Sequence, residues 1–256
     1  NFAKQNGIKL LDTAIDYGES EKNLGSHGIK KFKIVTKLPN LPKKLDNVTE
    51  WLELQLNSSM KKLGITSFYG VLMHRSDQIL SYDGAVYDFL LNQKKRGIID
   101  KLGVSIYSPD ELNPIINQIS LDIVQAPINI IDRRIIELEW LKKLKKLNIE
   151  IHARSVFLQG LLLLPRNKIP KKFSRWNDLW DKWDHWHVNN PKTSPLQTCL
   201  NYVEKFSEID QIIIGVQSLN EIQQIIDIRN KNVENLFPEM SCKDEELIHP
   251  SYWSSL

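Results

Sequence analysis

Short apolar runs rich in β-branched residues recur along the chain, and each is followed by a longer stretch whose apolar positions repeat every three or four residues. The runs Ile8–Asp12, Lys33–Lys37, Tyr69–His74, Leu102–Ser105, Asp122–Ala126, Ile149–Arg154 and Gln211–Gly215 read as seven strands. Between and after them, Val48–Leu63, Gly84–Arg96, Pro109–Gln118, Ile135–Leu147, Pro195–Phe206 and Leu219–Asn230 read as helices. Gly64 and Gly97, each preceded by cationic residues, are stop signals for two of these helices. Strands and helices alternate without hairpin signals, which implies parallel pairing through right-handed crossovers. Seven such units in a row favour an α/β barrel over an open sheet.

One segment breaks the alternation. Residues 164–195 carry Pro165, Pro170, Pro191 and Pro195 around a tryptophan-rich stretch. A segment this long between regular elements is a candidate rim loop. Trp176, Trp180, Trp183 and Trp186 are spaced to share one face of a short helix, which either packs on the barrel rim or forms an apolar lid over a substrate pocket. Trp176 and Trp180 are the pocket candidates. The whole chain, 1–256, reads as one barrel domain with this rim loop and a C-terminal tail at 242–256.

Composition narrows the class. Thirty-four basic against thirty-one acidic side chains leave a net charge of +3 in 256 residues, too small an excess for a nucleic-acid binder. Cys199 and Cys242 are too few for a disulfide framework, which favours a reducing, cytoplasmic setting. No apolar run is long enough to span a membrane. His152 reads as a core histidine, and His185 and His187 diverge on a helix, so no metal is expected.

Chemistry gathers where strands end, at the C-terminal rim of a parallel barrel. The first predicted strand ends in Asp12 with Tyr17 just beyond it, the second in Lys37 and the third in His74. An ammonium near a phenol favours its phenolate, and a carboxylate can hold that ammonium in place. A neutral imidazole can orient a carbonyl oxygen. The four residues therefore suit protonation of an alkoxide as a carbonyl is reduced.

The string Gly7-Ile8-Lys9-Leu10-Leu11-Asp12-Thr13-Ala14-Ile15-Asp16-Tyr17-Gly18-Glu19-Ser20-Glu21 resembles the signature of the aldo-keto reductases, and Val35-Thr36-Lys37-Leu38 and Leu72-Met73-His74-Arg75 follow in matching order. The resemblance implies an (α/β)8 barrel and hydride transfer from a nicotinamide cofactor to an aldehyde or ketone. It assigns Tyr17 as general acid, Asp12 and Lys37 as the pair that tunes it, and His74 as the orienting group. It also implies cofactor contacts: Ser105 and Gln125 to the carboxamide, with Asn129 in the following loop. Arg154, Ser155 and Gly160 would lie along the pyrophosphate, and Gly215, Val216, Gln217, Ser218 and Glu221 around the adenosine phosphate.

There are departures. Ile106 stands where the family has an Asn, Arg154 where an aromatic often stacks, and Glu221 where NADPH-preferring members carry a base. A carboxylate repels a 2′-phosphate and suits a free ribose hydroxyl. The resemblance still places NADPH ahead of NADH. The chain opens in what reads as the barrel's first helix, with no counterpart of the family's first strand and hairpin, so the expectation is that the native protein has further residues. A nicotinamide-binding barrel without turnover, or an isomerase or lyase with a lysine base, are the alternatives, and nicotinamide binding separates the last from the others.

Overall fold

A computed structural model describes residues 2–229 and 236–256. The chain folds as two compact units, one of residues 1–125 and 146–150, the other of 126–145 and 151–256.

The first unit begins with a short helix α1 (Phe2–Gln5) and then β1 (Leu10–Asp12), α2 (Ser20–Ser26), β2 (Lys33–Leu38), α3 (Val48–Leu63), β3 (Phe68–Met73), α4 (Ala85–Lys95) and β4 (Ile99–Ser105). β5 (Ile123–Pro127) passes from the first unit into the second. Within this unit strand order is chain order and every described pairing is parallel. β2 is buried on both faces from Ile34 onward, as a parallel strand covered by helices must be. Val35, Leu72 and Ile123 meet at its centre. Gly70 makes that contact possible: a Cβ there would lie 2.8 Å from the Ile123 side chain and 3.3 Å from that of Val35.

The strand and helix punctuation follows the sequence closely. α3 starts at Asn47, whose side chain accepts the Glu50 N–H, and stops at Gly64 with φ +66°. Gly97, at φ +73°, follows the last turn of α4. The predicted helix 109–118 is not continuous. It opens as a single 3₁₀ segment, Pro109–Leu112, and continues as turns, where Pro114 has no N–H to donate to an α-helical ladder.

The second unit holds α5 (Arg134–Glu137), α6 (Trp140–Lys146, whose last residue falls in the first unit), β6 (Glu150–Arg154, of which Glu150 belongs to the first unit), α7 (Asn177–Asn189), α8 (Pro195–Glu204), β7 (Gln211–Ile212), α9 (Leu219–Arg229) and α10 (Glu245–Ile248). The predicted helix 135–147 is interrupted at Leu138 and Glu139, where Glu139 takes φ +58°. Residues 164–195 are more regular than their prolines suggest: α7 occupies thirteen of them. Trp176, Trp180 and Trp183 are buried along this segment. β7 is shorter than the predicted 211–215, and of the predicted helix 219–230, Asn230 lies outside the described residues. Among the described residues no helix is long and apolar enough to cross a membrane.

Candidate active site

Within the first unit the C-terminal strand ends bring Asp12, Lys37, His74, Ser105 and Gln125 into one register. Lys37 pairs across to Leu72, and Ser105 sits beside Gln125. The chain beyond β1 runs on alongside β2 in the parallel sense, since the Thr13 and Ile15 N–H groups donate to Val35 and Lys37 carbonyls at 2.8 and 3.2 Å. That path brings Tyr17 to the lysine.

Lys37 is 1% exposed, yet its ammonium donates to Asp12 Oδ2 at 2.5 Å and to the Thr13 carbonyl at 3.0 Å. The other Asp12 oxygen accepts from Gln125 Nε2 at 2.8 Å. Burying an ammonium demands such a partner, and Asp12 is fixed in turn by two donors. The Lys37 Nζ lies 5.1 Å from the centroid of the Tyr17 ring. His74 meets that ring edge-on, with centroids 5.9 Å apart, and its Nδ1 is 3.8 Å from Asp16 Oδ2. Tyr17 is 46% exposed, so a buried ion pair underlies a phenol that faces solvent.

The structure therefore gathers Asp12, Tyr17, Lys37 and His74 and adds Gln125 to them through Asp12. Ser105 is buried next to Gln125. Asp16, in the loop after β1, approaches His74 from across the sheet. Sequence reasoning missed Glu21 and Glu111. Glu111 is joined to the Ser76 hydroxyl and accepts the Tyr107 and Ser108 N–H groups at 2.8 Å, linking the loops after β3 and β4. A Ser-x-x-Glu capping box at 108–111 was the legible signal for it.

At the opposite strand ends, the Tyr69 hydroxyl donates to Glu150 at 2.6 Å, Lys101 pairs with the same carboxylate, and Lys33 lies 4.2 Å over the Tyr69 ring. Burial, with the Glu150 hydrogen bond behind it, raises the Tyr69 pKa above its ordinary value. This cluster stands at the end of the sheet where conserved chemistry is not expected and reads as structural support.

The second unit carries the remaining predicted residues. Arg154 ends β6, and its guanidinium donates to the Ser155 hydroxyl at 3.1 Å. Asn129 donates to the Ser155 carbonyl at 3.1 Å. Ser155, Leu158, Gln159 and Gly160 all take positive φ, so this loop is held in a strained conformation that only Gly160 adopts freely. Gly215, Val216, Gln217 and Ser218 are exposed before α9. Ser218 accepts the Glu221 N–H at 3.2 Å and Glu221 accepts the Gln217 N–H at 2.8 Å, which makes Glu221 the reciprocal cap of α9. Trp180 is 1% exposed and its indole donates to the Phe173 carbonyl, while Trp176 donates to Asp244. His187 is pressed between Trp183 and Trp186 and bonds to the Trp183 carbonyl, and no metal-binding group occurs among the described residues.

Known structures share this fold. An aldo-keto reductase of Bacillus halodurans, AKR11C1, superposes with TM-score 0.71 in its holo form at 15% identity, covering 90% of this chain and 80% of that one. Its apo form gives 0.70 at 16%, covering 97% and 82%. A protein of Pseudomonas aeruginosa assigned to the aldo-keto reductases gives 0.64 at 19%, covering 88% and 79%. No curated protein sequence matches the chain. The model of the aldo/keto reductase family matches residues 1–236, and the chain belongs to that family.

Proposed function

We propose that this chain reduces a small aldehyde or ketone to an alcohol with Tyr17 as general acid. The observation that carries the reading is the buried Asp12–Lys37 pair beneath the solvent-facing ring of Tyr17. The Lys37 charge favours the phenolate that remains once Tyr17 gives up its proton. Asp12, held by Gln125, keeps the ammonium from turning away. His74, edge-on to Tyr17, is placed to orient the carbonyl oxygen.

The donor set fits a nicotinamide. Ser105 and Gln125 offer a hydroxyl and an amide side by side, which suits a carboxamide, and Arg154 offers a guanidinium to a phosphate. When bound, the reduced cofactor supplies the hydride. The α9 end fits less well, because the Glu221 carboxylate already accepts the Gln217 N–H and repels a 2′-phosphate. NADPH is proposed ahead of NADH, with Glu221 narrowing the difference.

The test is fluorescence titration with NADPH and NADH, followed by cofactor oxidation against a panel of aldehydes and ketones. Tyr17→Phe should lower turnover by at least about 10²-fold and leave cofactor affinity nearly unchanged. Equal turnover in the variant would remove Tyr17 from the mechanism.

A further inference from the structure

We propose that Glu21, which touches none of the reacting groups, is the positioning residue that fixes Tyr17 against Lys37; the inference rests on the reductase reading above. Glu21 lies in the first turn of α2 and is 1% exposed. Its Oε1 accepts two hydroxyls, from Thr36 at 2.8 Å and from Ser59 at 2.6 Å. Its Oε2, also buried, receives no hydrogen bond among the described residues. Neither hydroxyl partner is a cation, and a buried carboxylate held this way costs more than an apolar side chain of the same volume. What the carboxylate provides is connection, since one oxygen joins α2, β2 and α3.

The joined positions adjoin the site. Thr36 precedes Lys37 on β2, and strand alternation sends the two side chains to opposite faces, one toward Glu21 and the other toward Asp12. Tyr17 lies three residues before α2. Its carbonyl accepts the Ser20 N–H at 3.0 Å, and the Ser20 and Thr13 hydroxyls are 3.1 Å apart. The Tyr17 loop is thus pinned at its start by β2 and at its end by the first turn of α2, whose place over β2 Glu21 sets.

Gly25, one helical turn further on, gives a second and independent sign that α2 has no slack. A Cβ at Gly25 would lie 2.1 Å from the Lys62 carbonyl oxygen of α3. The close approach fixes how near α2 comes to α3, and the Glu21 bonds fix where it lies along β2. Releasing those bonds lets α2 shift and carries Tyr17 away from the ammonium 5.1 Å below it. A misplacement of about 1 Å can cost on the order of 10²-fold in rate.

The experiment compares Glu21→Ala, Glu21→Gln and Ser59→Ala with the parent chain, by steady-state kinetics, cofactor titration and hydrogen exchange over residues 14–26. Glu21→Ala should lower kcat by about 10- to 100-fold with cofactor affinity unchanged, and should speed exchange in that segment. Glu21→Gln retains an oxygen for both hydroxyls and should recover kcat to within about threefold of the parent. Ser59→Ala, which removes one bond and leaves the carboxylate, should show a smaller loss of kcat in the same direction, and it serves where Glu21→Ala fails to fold. Parent-like kcat and exchange in Ser59→Ala and Glu21→Ala would overturn the proposal, as would a Gln variant as impaired as the Ala one. A parent inert toward every carbonyl, with Glu21→Ala still loosening residues 14–26, would overturn the reductase reading and the catalytic consequence while upholding the anchorage.

Discussion

Replacing Lys37 by Met tests the buried pair directly, because the thioether keeps the length of the stem and removes the ammonium, with its charge and its bonds to Asp12 and Thr13. At the observed 2.5 Å separation the attraction is about 7 kcal/mol with an effective dielectric constant near 20. Most of that offsets the several kcal/mol needed to take each ion out of water, so the intact pair contributes little net stability. Removing one member is another matter. Asp12, 9% exposed, keeps only its Gln125 bond and becomes an uncompensated buried charge. The expected loss is about 3–5 kcal/mol, or roughly 6–20 °C in Tm for a chain of this size. Adding Asp12→Asn should restore the Lys37→Met protein to within about 1–2 kcal/mol of the parent, because no charge is left to strand. The assay is thermal and urea unfolding at pH 7 of the parent, both single variants and the double. A Lys37→Met melt within about 0.5 kcal/mol of the parent, or strictly additive variants, would refute the reasoning.

Three further outcomes follow from the same structure. Glu221→Gln should raise affinity for NADPH relative to NADH in parallel titrations, since it removes a carboxylate near the α9 end; an unchanged ratio would place the 2′-phosphate elsewhere. Gly103→Ala should cost at least about 3 kcal/mol or prevent folding, because its Cβ would strike the Ile123 backbone at 2.0 Å, and a near-parent Tm would contradict the β4–β5 register. Burial holds the His249 imidazole below its ordinary value of 6.5, opposed by Glu245 and reinforced by Arg154 and Arg134. Between the folded value and 6.5 the unfolded chain binds more protons, so this contribution is complete above about pH 6.5 and is lost as the pH falls through the folded value. Melts between pH 7 and 5 should show the decline, with a shallower one in His249→Asn.

The elements that a period can reveal were legible. α3 occupies the predicted 48–63 without change, and every strand is where the apolar runs put it, to within a few residues. The clustering of Asp12, Tyr17, Lys37 and His74 was legible too, because strand ends and short loops leave little choice of where a side chain goes. What escaped was set by backbone conformation or by contacts distant in sequence. Nothing in the pattern around Leu138 marks the left-handed Glu139 that breaks the helix. Nothing in the pattern around Glu21 marks it as buried, and only the hydroxyls of Thr36 and Ser59, fifteen and thirty-eight residues away, make it a hub. The bond by which Glu221 holds the Gln217 N–H at the start of α9 was likewise not visible in the pattern.

The four residues of the proposed site differ in what fixes them, and that difference says where the site is vulnerable. Lys37 lies within β2, Asp12 ends β1 and His74 follows β3 directly, so the sheet itself sets their positions. Tyr17 stands well into the loop after β1, with nearly half its surface in solvent, which suits the proposal that it meets a substrate. A loop residue is only as precise as its anchors. Here the anchors are polar: the backbone bonds of Thr13 and Ile15 to β2, the Thr13–Ser20 hydroxyl contact, and the Glu21 carboxylate between Thr36 and Ser59. Apolar packing would tolerate a sliding helix, because dispersion contacts are numerous, weak and non-directional. Hydrogen bonds with fixed donors are satisfied at one register and broken at the next. A fold that had to hold one exposed phenol 5.1 Å from a buried ammonium therefore has a physical reason to keep a carboxylate in its interior, at a place where stability alone would favour leucine.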